Sequence, residues 1–389
     1  VGSKAAAEVW FAPGRANLMG EHTDYNGGFV LPFALPQGVT ATASARDDGL
    51  LELRSAQVPD EPATIALDGL DLGSVSGWAA YPAGVAWALR AAGYPVGGAT
   101  VEVDSDLPVG AGVSSSAALE CAVALALCSL SGFSVPRREL AAIARRAENE
   151  FVGAPTGIID QSAALLCTED HALLLDCDTL ETVQVPFRPA AAGASALVID
   201  TRVTHALVSG EYAARRSECE QAARLLGTPA LGTVTDLRQL TRLADPVLHR
   251  RARHVITDSA RARAVADALA VAAAPAGAGA RQNEEGPAIG GREALVLIGK
   301  LLAEGHTSLR DDFEVSWPAA DVTVETATAA GAYGAKMIGG GFGGSVLALV
   351  PAERLSQVRA AVTGAFAARG WTPPVFIDAV PSPSARRLG

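Results

Sequence analysis

The stretch Pro108-Val109-Gly110-Ala111-Gly112-Val113-Ser114-Ser115-Ser116-Ala117 constrains the fold of this chain more tightly than any other. It stands between a strand-like run at 99–103 and a long apolar, helix-like run at 116–130. Glycines let a backbone turn sharply and approach a ligand closely, and the helix that follows offers unpaired N–H groups and a partial positive charge to an anion. The stretch alone leaves two readings open: a phosphate cradle, or a strand-to-helix turn capped by serines.

At 389 residues the chain exceeds the roughly 250 to 300 residues at which one core stops growing, so two domains are expected. A boundary is placed at the Pro/Ala/Gly-rich segment 188–194, dividing 1–187 from 188–389. The net charge of −11 argues against a nucleic-acid or anionic-membrane surface, so an anionic ligand must be held by local groups. The five cysteines lack C-x-x-C spacing and have apolar or helical neighbours, which reads as buried free thiols in the cytoplasm. The longest apolar run, 121–130, is short of the roughly 20 residues a membrane helix needs, and no signal peptide is recognised.

Residues 9–12 read as a strand that enters Pro13-Gly14-Arg15-Ala16-Asn17-Leu18-Met19-Gly20-Glu21-His22-Thr23-Asp24-Tyr25-Asn26-Gly27-Gly28. Here Arg15 can face an anion, while Glu21, His22 and Asp24 present donors and acceptors suited to hydroxyl groups. Paired strands at 29–36 and 39–46, a strand at 50–54 and a helix at 78–92 follow; Trp78, Tyr81 and Trp87 on it suit an adenine pocket or plain core. A helix at 137–151 carries Glu148, readable as a metal ligand or as part of a solvated face. Gly157-Ile158-Ile159-Asp160-Gln161 opens another helix, whose Asp160 is either a cap or a working carboxylate. A hairpin at 171–187 closes this half.

The second half mixes strands at 196–200, 345–350 and 374–380 with helices at 209–226, 249–269, 292–304, 321–335 and 352–369, which suggests an α+β layer. Residues 272–291 read as a mobile low-complexity loop. Gly339-Gly340-Gly341-Phe342-Gly343-Gly344 fits G-x-G-x-x-G by letter, yet it opens a strand where a dinucleotide fingerprint must open a helix. No Walker A lysine follows either glycine cluster. Two glycine loops, one per half, closing on one anionic ligand would make an ATP site of another kind.

These three stretches resemble the signature motifs of the GHMP small-molecule kinases, and Gly14-Arg15-x-Asn17-x-x-Gly20-Glu21-His22-Thr23-Asp24-Tyr25 resembles the galactokinase signature within them. Further similarity runs through Glu211-Tyr212, Arg251-Ala252-Arg253-His254-Val255 and residues 308–316. The resemblance implies an N-terminal mixed-sheet α/β domain, a C-terminal ferredoxin-like α+β domain and an active site in the cleft between them. It also implies MgATP-dependent phosphorylation of galactose at its anomeric hydroxyl. By resemblance, Asp160 is the catalytic carboxylate and Arg15 its cationic neighbour; Glu21, His22, Asp24, Gly157 and Tyr212 contact the sugar. Gly110, Gly112, Ser114, Ser115 and Ser116 hold phosphate, Ser116 or a neighbouring serine holds magnesium with Glu148, and Trp78 with Tyr81 lies at the adenine.

The chain departs from the family pattern at Ala111 (usually glycine), Thr156 (usually cysteine), Thr204 before His205 (usually a basic residue) and Gly305 before His306 (usually serine). It also reaches its signature early, so a leading helix is expected to be absent. The expected setting is the cytoplasm, as a monomer acting on a sugar and ATP, with neither nucleic acid nor membrane as partner. Two alternatives stay open: a kinase for a related sugar such as N-acetylgalactosamine or galacturonate, and a non-catalytic galactose and ATP sensor.

Overall fold

A computed structural model describes residues 7–108, 110–203, 209–273 and 291–388. In the first half the chain runs through β1 (Glu8–Asn17), β2 (Phe29–Val30), β3 (Pro32–Arg46), β4 (Leu50–Ser55), β5 (Ala63–Ala66), α1 (Ala80–Ala91), β6 (Gly98–Ser105), α2 (Ser115–Leu130), α3 (Arg137–Arg146), α4 (Ile159–Leu166), β7 (His171–Asp176) and β8 (Thr182–Pro186). The second half holds β9 (Ala194–Asp200), α5 (Ser209–Leu226), α6 (Pro246–Ala273), α7 (Gly291–Asp311), α8 (Pro318–Ala329), β10 (Gly334–Ile338), β11 (Ser345–Pro351), α9 (Leu355–Ala367), β12 (Val375–Asp378) and β13 (Arg386–Arg387).

Three sheets organise these elements: β13-β1-β3-β6-β4-β5, β2-β7-β8 and β10-β11-β9-β12. The last is antiparallel throughout, and its strand order with helices between strands is the ferredoxin-like arrangement. The first is mixed, since β4 and β6 run parallel while its other pairs are antiparallel. The C-terminal β13 returns to pair with β1, so the end of the chain closes onto the first half.

α2 is apolar on nearly every side because it is buried on nearly every side: Ala117, Ala118 and the run from Cys121 to Cys128 are at most 8% exposed. It packs on β1 and β3 and thereby fixes the loop before it against the sheet. The cysteines are free thiols, four buried and Cys177 half-buried. No described helix is long and apolar enough to cross a membrane.

The structure corrects several expected elements. Residues 29–36 and 39–46 do not form a pair of strands: β3 runs unbroken from Pro32 to Arg46, and β2 belongs to another sheet. Gly38, between the two expected strands, is itself a strand residue against which β1 closes, since a Cβ there would strike the Ala12 carbonyl and the Phe11 ring. The helix expected at 321–335 stops at Ala329; Gly331 turns left-handed (φ 102°) and residues 334–338 form the buried strand β10. The second glycine cluster therefore joins two antiparallel strands. The helix expected at 292–304 continues to Asp311. Thr204, His205, the first six residues and most of 272–291 lie outside the described residues.

Candidate active site

A β-bulge between Pro13 and Arg15 re-aims the end of β1 so that Arg15 points into a cavity of about 740 Å³ between the halves. Arg15 makes a 3.0 Å ion pair with Asp160, which stands in the first turn of α4. Its other terminal nitrogen donates to the Gly112 carbonyl, and its backbone N–H donates to Val113 at 3.1 Å. One guanidinium thus joins the phosphate-loop backbone to the candidate catalytic carboxylate.

The segment 18–28 has little regular structure, and Gly20, His22 and Gly27 all lie at positive φ. Thr23 holds it by donating to the carbonyls of Gly20 (2.9 Å) and Phe29 (2.8 Å), and Asn26 donates to His22 O at 2.7 Å. His22, Asp24 and Glu21 are buried, and all line the cavity. Burial pushes His22 down to about 3, so it is neutral at pH 7. Burial, then the Asp160 charge, pushes Asp24 up to about 6. Gly157 is there for space: a Cβ would overlap the Asp24 carboxylate.

Glu21 lies at the meeting point of the halves. Its Oε2 receives Lys336 Nζ at 2.9 Å and the Asn17 amide, and its Oε1 receives the Gly339 N–H at 3.0 Å. Burial raises its carboxyl pKa, against the lowering effect of Lys336. Lys336, on β10, is fully buried.

At the other end of the cavity the N-terminus of α2 faces inward, preceded by Gly110 (φ 75°), Gly112 (φ 69°) and Ser114 (φ 63°). Ala111 sits between the two glycines without a positive φ, so alanine is unstrained there. The two glycine clusters touch: a methyl on Gly339 would come within 3.1 Å of Gly112 O, and Ser345 donates to Ala111 O at 2.7 Å. Ser114, Ser115 and Ser116 also line the cavity, as do Gly339, Gly340 and Gly341.

Glu148 is buried, not on a solvated face: it continues the buried face of Ala141 and Ala144 at helical spacing into the turn at Ala147–Val152. Its carboxylate accepts from Ser116 (2.9 Å), Thr156 (2.7 Å) and Gln161 (2.8 Å), all uncharged. Burial, then Asp160, raises its pKa. A buried carboxylate with neutral partners beside a serine hydroxyl is a hard oxygen donor set that fits a magnesium ion shared with phosphate. Thr156 thereby orients this carboxylate.

Tyr81 and Tyr212 line the cavity as expected; Tyr212 packs on His22 with ring centroids 5.4 Å apart. Trp78 does not line it: its indole donates to Glu61 O at 3.0 Å. Sequence reasoning missed Lys336. Its signal is a lone charge in an apolar strand, β10.

This fold, with two glycine loops closing on a helix N-terminus, defines the GHMP kinases. The chain matches the GHMP kinases N terminal domain over residues 80–168 and the GHMP kinases C terminal over 291–368. Residues 1–45 match the galactokinase galactose-binding signature. The galactokinase of Streptomyces coelicolor is 48% identical over 98% of this chain and 94% of its own length, and that of Mycobacterium tuberculosis strain H37Rv is 43% identical over 96% and 97%. The crystal structure of Lactococcus lactis galactokinase complexed with galactose superposes with a TM-score of 0.89 at 31% identity, covering 98% of this chain and 95% of that one. The chain belongs to the galactokinase family, and so to the ATP-dependent sugar kinases.

Proposed function

We propose that this chain transfers the γ-phosphoryl group of MgATP directly to the anomeric C1 hydroxyl of α-D-galactose, giving galactose 1-phosphate and ADP for galactose metabolism. The observation that carries the reading is the 3.0 Å Arg15–Asp160 pair, set in one cavity between the polar loop at Glu21–Asp24 and the N-terminus of α2.

The sugar lies against Glu21, His22, Asp24, Gly157 and Tyr212, with its C1 hydroxyl toward Asp160. The C1 oxygen attacks the γ-phosphorus as the bond to the ADP oxygen breaks, and Asp160 accepts the hydroxyl proton. Arg15 steadies the charge on the moving phosphoryl group, and the α2 N-terminus with Gly110, Gly112 and Ser114–Ser116 holds the phosphates. The adenine lies beyond Tyr81 toward Trp78. Ser116 and Glu148 would hold the magnesium, which neutralises phosphate charge when bound. The remaining work is alignment by a rigid cleft.

We further infer two domains, 1–187 and 188–389, the last residues returning to the first, in a monomeric cytoplasmic enzyme. Galactose-dependent ADP formation tests the activity, and preferred turnover of N-acetylgalactosamine or galacturonate would reassign the sugar. Asp160→Asn is expected to keep galactose and ATP binding while turnover falls by about 10²- to 10⁴-fold. Turnover like that of the unaltered enzyme would refute the role given to Asp160.

A further inference from the structure

One face of α6 grips the backbone of the sugar loop from the opposite half of the chain. Asp258 Oδ2 accepts the backbone N–H groups of Gly20 (3.0 Å) and Glu21 (3.1 Å). One turn earlier on the same face, His254 Nε2 lies 3.0 Å from Glu21 O. A carbonyl only accepts, so Nε2 carries the hydrogen, and Nδ1 faces Ser308 Oγ at 2.9 Å. Ser259 Oγ accepts the Phe29 N–H at 2.9 Å, at the far end of the loop. All three side chains are buried, at 0%, 0% and 4% exposure for Asp258, His254 and Ser259.

Buried polar groups in a helix interior are costly unless paired, and these three find partners in the backbone of a loop more than 200 positions away in the chain. The loop needs such support, since His22 sits at φ 61°, a conformation that persists only where surroundings impose it. Behind the grip there is no slack. Arg261 balances the Asp258 charge at 3.0 Å, and α7 packs so closely at Gly305 that a Cβ would lie 3.0 Å from Met19 Sδ and 3.3 Å from Asp258 Oδ1.

We infer that Asp258, with His254 and Ser259, acts as a positioning residue for galactose: it touches no substrate, but it sets the places of Glu21 and His22 and so the affinity for the sugar. The inference rests on the sugar-binding role proposed for that loop. It separates the two substrates, because the phosphate-loop carbonyls are held directly by Arg15 and Ser345, whereas Asp258, His254 and Ser259 bond the sugar loop.

The test uses the full chain, with calorimetric titration of galactose in the absence of nucleotide and steady-state kinetics for both substrates. Asp258→Ala is expected to weaken galactose binding and raise its KM by about 10- to 100-fold, with the KM for MgATP changed less than about twofold. Asp258→Asn, whose amide oxygen still accepts from the loop while its NH₂ faces Arg261, is expected to fall between. Ser259→Ala, losing one bond, is expected to cost a few-fold, about 2- to 10-fold. Unchanged galactose affinity in folded Asp258→Asn and Ser259→Ala would overturn the inference, as would equal increases in both KM values. If Asp258→Ala does not fold, those two variants decide. Absence of galactose binding by the unaltered enzyme would instead refute the sugar role of the loop itself.

Discussion

Gly157 is the position where a single methyl group should separate sugar recognition from every other property of the protein. Its backbone is not left-handed, so alanine adopts the conformation without strain; the obstacle is the Asp24 carboxylate, whose Cγ and Oδ2 a Cβ would overlap while lying 2.9 Å from Oδ1. Ordinary contact between such atoms needs about 3.5 Å, so the carboxylate must retreat by on the order of 1 Å. Displacement of that size at a site of fixed geometry reduces kcat/KM by about 10²-fold, or about 2.7 kcal/mol of transition-state stabilisation. The assay is steady-state kinetics at varied galactose and varied MgATP, for Gly157→Ala alone and combined with Asp24→Ala. The single variant should lose the galactose kcat/KM and keep its KM for MgATP. In the Asp24→Ala background the methyl meets no carboxylate, and Gly157→Ala should then cost almost nothing further. An unchanged single variant would refute the reasoning, and so would an equal loss in both backgrounds.

Asp24, pushed up to about 6, receives galactose hydroxyls best when ionised, so galactose affinity should rise through about pH 6 and fall about tenfold per unit below it. Asp24→Asn should flatten that limb; His22, held near 3, cannot supply it. For stability the sign is opposite: an acid raised from 3.8 to about 6 loses about 3 kcal/mol of folded-state stability as pH climbs between those values, a loss that is complete above them. His22, lowered, instead loses stability as pH falls from 6.5 toward 3, so sugar titrations read Asp24 more cleanly than melting curves. Lys336→Met strands the buried Glu21 carboxylate and should destabilise by about 3 to 5 kcal/mol in urea unfolding, with much of the loss recovered in Lys336→Met/Glu21→Gln. Glu148→Gln should raise the magnesium concentration needed for half-maximal rate and leave galactose affinity unchanged.

The loops were legible because their chemistry demands particular residue types close together: Arg15, Glu21, His22, Asp24, the glycines and serines of the phosphate loop, and Asp160 all line one cavity. What was illegible depends on charge in an unexpected place or on distance along the chain. Glu148 follows Ala144 by four residues and Ala141 by seven, on the buried face of α3, but a carboxylate among arginines and glutamates reads as solvated. β10 hides because its small residues continue the composition of α8, and Gly38 hides because close strand approach and a turn both call for glycine. Lys336, Asp258 and His254 take their meaning from partners in the other half, which no local pattern reveals.

The central claim is that the cleft moves a phosphoryl group onto the anomeric oxygen of galactose. Phosphorus NMR of the products from MgATP and galactose tests it most directly. The account predicts a sugar phosphate whose phosphorus couples to the anomeric proton, formed together with ADP and lost in Asp160→Asn. A phosphate on another hydroxyl, or no sugar phosphate from any hexose, would contradict it.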